Sequence, residues 1–104
     1  MEILINTDNN IDGTAEMIAY FKSNIENDLD RFSEHLTRVE VKISDENGEK
    51  SVGNDKRCVM EARLKGMDPI AVTSHESTVE KSVKEATNKM KTSLEKLMGK
   101  LRGY

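Results

Sequence analysis

Residues 38–44 read Arg38-Val39-Glu40-Val41-Lys42-Ile43-Ser44, and this stretch decides what kind of fold the chain can adopt. Apolar and polar residues alternate strictly, so Val39, Val41 and Ile43 point one way and Arg38, Glu40, Lys42 and Ser44 the other. Such a strand is half buried, with a core on one side and water on the other. After residues 45–56, a polar stretch read as a loop, the pattern returns. Cys58, Met60, Ala62 and Leu64 face inward, Arg57, Glu61, Arg63 and Lys65 face outward, and Val59 is the exception. Lys65-Gly66-Met67-Asp68-Pro69 reads as a tight turn, and Ile70, Val72 and Ser74 then give a fourth strand. Upstream, Glu2-Ile3-Leu4-Ile5-Asn6-Thr7 is a short β-rich run ended by Asp8-Asn9-Asn10.

Two segments carry the helical period instead. Ile18, Phe21, Ile25, Leu29 and Phe32 predict a helix over about 14–34, with Glu16, Glu26, Asp30 and Glu34 on its acidic back. Ser77-Thr78-Val79-Glu80 reads as a capping box with Ser77 as the cap. Behind it, Val79, Val83, Ala86, Met90, Leu94, Leu97 and Leu101 predict a second helix over 77–101, stopped by Gly103. The order is β-α-β-β-β-α. The expected class is α+β: one domain over 1–104, a four-stranded sheet with both helices on one face and the other face open and charged.

Composition narrows the function. The chain has 104 residues, 36% of them hydrophobic and only 4% aromatic, so its core is thin and aliphatic. A formal net charge of −3 argues against a protein that binds nucleic acid through bulk charge. The average hides a gradient, however. Residues 1–36 carry two positive and eight negative charges, whereas residues 77–104 carry seven positive and three negative. No segment reaches the ~20 apolar residues of a membrane span, and the amino terminus lacks the basic start of a signal peptide. The lone Cys58 excludes an internal disulfide and a multi-cysteine metal site, which fits a cytoplasmic protein.

Catalytic chemistry finds no footing. Cys58 lies on the inward side of a strand, where cysteine acts as a small hydrophobe. His35 and His75 belong to no metal-binding pair, and Asp45-Glu46-Asn47-Gly48 departs from a calcium loop in its glycine and its missing bidentate glutamate. No phosphate-binding glycine loop is present. The expectation is a non-enzyme without catalytic residues, metal or cofactor.

What remains is the basic second helix. Lys89, Lys96 and Lys100 flank one side of its apolar stripe, while Lys81, Lys84, Lys91 and Arg102 take the other flank and the far face. Two readings stand on the residues alone. The lysines belong to a solvated helix and snorkel beside its core stripe, or they form an edge that tracks phosphates. In the second reading Arg38, Lys42, Arg57, Arg63 and Lys65 on the open sheet face assist. With almost no aromatic on that face to stack bases, structured RNA read by shape and backbone suits it better than single strands.

The sequence resembles the ribosome hibernation-promoting factors, also called ribosome-associated inhibitor A or sigma-54 modulation proteins. The likeness runs through Ile5-Asn6-Thr7-Asp8-Asn9-Asn10-Ile11, Leu29-Asp30-Arg31-Phe32, Thr37-Arg38-Val39-Glu40-Val41, Met60-Glu61-Ala62-Arg63-Leu64 and Pro69-Ile70-Ala71-Val72-Thr73. It ends in Ala86-Thr87-Asn88-Lys89-Met90 and Leu94-Glu95-Lys96, similar to the family's second-helix motif. Thr92 and Ser93 stand where the family often has Arg and Gln. The resemblance implies a fold like a double-stranded-RNA-binding domain. It also implies binding to rRNA of the small ribosomal subunit in the decoding channel, and silencing of idle ribosomes by occlusion. Lys89 and Lys96 match the family's basic positions best. The expected partner set is the small subunit alone, with no membrane and no small-molecule substrate. The protein is expected to be a monomer without the long form's C-terminal dimerisation domain. The alternative is an adaptor of the same fold that binds protein and has lost ribosome affinity.

Overall fold

A computed structural model describes residues 1–46 and 55–101. Its elements are β1 (Glu2–Thr7), α1 (Ala15–Leu29), a 3-10 turn (Asp30–Phe32), β2 (Leu36–Asp45), β3 (Lys56–Leu64), β4 (Ile70–Glu76) and α2 (Val79–Leu101). The four strands form one sheet in the order β1-β2-β3-β4. β1 runs parallel to β2 through the α1 crossover, and the other two pairings are antiparallel. This is the α+β order expected from the two periodicities.

The alternation of residues 38–44 works as read. Val39, Val41 and Ile43 are buried, and the register sets Val41 beside Met60 and Ile43 beside Cys58. α2 covers β3 and β4, and α1 packs on β1 and α2. Phe21, Ile25, Leu29 and Phe32 bring the α1 stripe into this core, and Val83, Ala86, Met90 and Leu94 bring that of α2. Apart from the small Ala86, each of these side chains contributes roughly 1.5–3 kcal/mol on burial. Thr14 caps α1, its Oγ1 accepting from the Met17 N–H at 3.1 Å. Gly13, just before it, is required by a close approach: a Cβ there would lie 2.5 Å from Thr7 Oγ1.

Several boundaries differ from the sequence reading. α1 ends at Leu29 rather than near residue 34, and a 3-10 turn still delivers Phe32 to the core. α2 is capped by Thr78, not Ser77: Thr78 Oγ1 accepts from Lys81 N at 3.1 Å and Thr78 O from Ser82 N at 3.0 Å. The cause is the length of β4, whose Glu76 still pairs with Lys56 and pushes the cap one residue on. His75, read as a junction residue, lies within that strand. Gly66 in the β3–β4 turn has φ +68°, as a tight turn there requires. Residues 47–54, most of the expected loop with its imperfect calcium-loop glycine, lie outside the described residues, as do Arg102 and the expected helix stop at Gly103.

Asp45 and Lys56, read as loop, instead close the β2–β3 ladder. Both Asp45 and Asp55 are buried, and Lys56 Nζ lies 3.3 Å from Asp45 Oδ2 and 2.9 Å from Asp55 Oδ1. The hydrogen bond that Lys56 donates to Asp55 raises the Lys56 pKa above its usual value, with Asp45 adding to it against some desolvation. Asp8 ties this end to β1, its Oδ2 accepting from Asp45 N at 3.2 Å.

Cys58 is fully buried, and burial pushes its thiol up to about 12. Because the folded value exceeds that of the exposed thiol, protonated Cys58 favours the native state below about pH 8.5, and that contribution is lost as pH rises toward 12. At pH 8 a thiol reagent is expected to label the native protein only at the rate of opening. Stoichiometric labelling within seconds under native conditions would contradict this burial.

Candidate nucleic-acid interface

The basic residues separate into two electrostatic classes. On the open sheet face the arginines are matched by carboxylates. Arg38 Nε meets Glu2 Oε1 at 3.1 Å and its Nη1 meets Glu40 Oε1 at 3.5 Å. Arg63 Nη2 reaches Glu40 Oε2 at 3.5 Å and its Nε reaches Glu61 Oε1 at 3.2 Å. Arg57 Nε and His75 Nε2 converge on Glu46 Oε1 at 3.5 and 3.3 Å. These pairs are solvated, each worth about 0–1 kcal/mol, yet together they cancel the arginine charge in place. Lys42 lies on the same face and has no ion pair among the described residues. Lys65 lies one residue beyond the end of β3, exposed in the turn rather than on the sheet.

Helix α2 is different. None of Lys81, Lys84, Lys89, Lys91, Lys96 and Lys100 is ion-paired among the described residues. The contact of α2 with the 3-10 turn after α1 uses an acid instead, exposed Glu95 accepting from Arg31. Arg31 in turn lies over the Phe32 ring, 4.7 Å from its centroid.

Packing divides these lysines. Lys84 lines the cleft between α1 and α2 with Tyr20, Asn24 and Asp28, and Lys91 follows it two turns along the same flank. Lys81 is on the far, exposed side of the helix. Lys89, Lys96 and Lys100 follow the opposite flank, where Lys89 lies beside the edge strand β4. There Lys89 Nζ donates to Thr73 O at 2.8 Å, next to a shallow groove lined by Val72, Glu85, Asn88, Thr92 and Ser93. The expected basic set is therefore not gathered in one place. The Lys89 flank of α2 holds three uncancelled lysines in a row, and the sheet face holds one.

Sequence reasoning counted Arg38, Arg57 and Arg63 as available. A signal against this was present in the i, i+2 pairs Arg38/Glu40 and Glu61/Arg63, which alternation puts on one face. The bond from Lys89 to a main-chain carbonyl of another element had no sequence signal.

The sequence profile of the family described as sigma 54 modulation protein / S30EA ribosomal protein matches residues 4–102. The chain belongs to this family. Its members are ribosome-associated modulation and hibernation proteins, not enzymes. Among solved structures, the chain is similar to the N-terminal domain of Thermus thermophilus Protein Y, at 18% identity and TM-score 0.73, covering 93% of this chain and 99% of that one. It is also similar to a ribosomal subunit interface protein from Coxiella burnetii, at 16% identity and TM-score 0.70, covering 95% and 99%. At such identities these likenesses establish the fold. No curated relative matches by sequence.

The family accounts for the absence of catalytic chemistry in the sequence. Among the described residues no three His, Cys, Asp or Glu side chains are gathered to hold a metal ion, and no helix is long and apolar enough to cross a membrane.

Proposed function

We propose that this member of the family binds the small ribosomal subunit in the decoding channel through rRNA phosphates and silences translation by occlusion. The observation that carries the reading is the row Lys89, Lys96 and Lys100, exposed on one flank of α2 and free of ion pairs among the described residues. An ammonium is a compact, strongly hydrated charge suited to contacting phosphate without reading bases. Residues 89, 96 and 100 span 11 positions, or about 16 Å at ~1.5 Å per residue, enough to meet several phosphates in succession. The acidic back of α1 then faces away from the polyanion and orients the domain. The Coxiella structure's description as a ribosomal subunit interface protein supports a ribosomal contact here.

Co-sedimentation with purified small subunits at low and moderate salt tests the reading. Binding that weakens by about one log unit per log unit of salt for each phosphate contact is expected. A protein that remains in the free fraction at both salts would refute it. One protein partner captured despite nuclease and high salt would instead favour the adaptor reading.

A further inference from the structure

Strand β4 is an edge of the sheet, and its register identifies which of its main-chain groups have no ladder partner among the described residues. On β3, Arg63 O accepts from Thr37 Oγ1, and Asp55 O just before the strand accepts from Glu46 N, so the odd-numbered residues here turn toward β2. The even-numbered ones, Cys58, Met60 and Ala62, therefore turn toward β4, where they meet Ser74, Val72 and Ile70. Since the N–H and C=O of one residue in an antiparallel strand point to the same side, those of Ala71, Thr73 and His75 point out of the sheet. Lys89 agrees with this assignment, since it reaches Thr73 O from outside at 2.8 Å.

An edge of this kind is a template for another strand. Its free residues are arranged symmetrically about Thr73. Two copies laid antiparallel would set Thr73 against Thr73 and Ala71 against His75, a closed two-fold pairing. The groove between β4 and α2, lined by Val72, Glu85, Asn88, Lys89, Thr92 and Ser93, would lie along the junction, with Glu85 one helical turn from Lys89 and off the axis at Thr73. Among the described residues, one feature at the axis opposes it. Lys89 occupies the central carbonyl, and at the axis its ammonium would meet that of the other copy, two like charges at one junction.

We propose that Lys89 guards the β4 edge, and that the partner it excludes is a second copy of this chain adding its own β4 across a two-fold axis at Thr73. Lysine is suited to the task because its long stem lets one exposed residue of α2 cap a neighbouring strand while its charge stays in water. The inference is independent of rRNA binding, because it concerns the protein alone.

Sedimentation velocity without ribosomes tests it, comparing the wild-type protein with Lys89→Ala, Lys89→Met and Lys89→Arg. The wild type and Lys89→Arg are expected to stay monomeric. Lys89→Ala and Lys89→Met are expected to dimerise at least about tenfold more tightly, a conservative figure for removing a like-charge contact. Adding Thr73→Pro to Lys89→Ala removes the central edge N–H without touching the ladder to β3, and should restore the monomer. If Thr73→Pro lowers the melting temperature, Ala71→Pro takes its place. Alanine and methionine variants that stay as monomeric as the wild type would overturn the proposal. So would a dimer that persists with the proline, since it would form elsewhere.

Discussion

Replacing Lys89 and Lys96 together by glutamate is expected to lower affinity for small ribosomal subunits at least about a hundredfold, with the fold retained. A charge-assisted hydrogen bond is worth about 1.5–3 kcal/mol, and each 1.4 kcal/mol is a factor of ten, so removing two of them reaches that figure. The salt dependence should fall by about two log units per log unit of salt, one for each phosphate that is no longer neutralised. Both side chains are exposed on α2, so circular dichroism and melting should change little. The control is the open sheet face. Arg38→Gln with Arg63→Gln removes two positive charges where the lysine pair reverses two, and each guanidinium already lies beside carboxylates of Glu2, Glu40 or Glu61. A loss of less than about threefold is expected there, in line with the modest worth of exposed charges. If the arginine pair proved as damaging as the lysine pair, the interface would lie on the sheet and not along α2.

The second large effect is expected on stability. Asp55→Ala removes the nearer of the two buried carboxylates that hold Lys56, leaving Asp45 as the carboxylate beside the ammonium. Losing Asp55 leaves the half-buried Lys56 ammonium with one charge-assisted hydrogen bond fewer and Asp45 still at 3.3 Å, so the domain is expected to unfold at distinctly lower denaturant. Urea unfolding should show a lower midpoint with an unchanged slope. A midpoint within error of the wild type would mean that Lys56 is held by something other than this pair. The raised Lys56 pKa fixes the direction of the pH dependence. Its folded value lies above the usual 10.5, so its contribution is complete below that pH and is lost as pH rises past it. In Asp55→Ala, where the largest cause of the rise is gone, this alkaline loss should be smaller.

How much could be read in advance follows from which interactions are local. Val39, Val41 and Ile43, and their counterparts Cys58, Met60 and Ala62, declared their buried side because a strand's period of two admits only one assignment. Likewise Phe21, Ile25 and Leu29 could belong only to one face of a helix. The Thr78 cap was misplaced by one residue because it depends on where β4 stops pairing with β3. That in turn depends on Glu76 lying opposite Lys56, far away in sequence. The burial of Asp45 was missed for a related reason. An aspartate in a polar stretch looks like loop until a lysine from the returning strand is brought against it.

The sequence by itself determined the β-α-β-β-β-α order, the apolar face of each element, the family and the concentration of lysine in α2. All of these rest on spacing along one segment or on short motifs in fixed order. Beyond the Arg38/Glu40 and Glu61/Arg63 spacing, tertiary structure decided which of the charges are available. Arg38 and Arg63 are cancelled because the β1-β2-β3 register brings Glu2, Glu40 and Glu61 beside them. Lys89 touches Thr73 because α2 crosses the sheet at the β4 edge. Charge acts through space and falls off with distance, so a formal count along the chain cannot say which cation still has its field to offer.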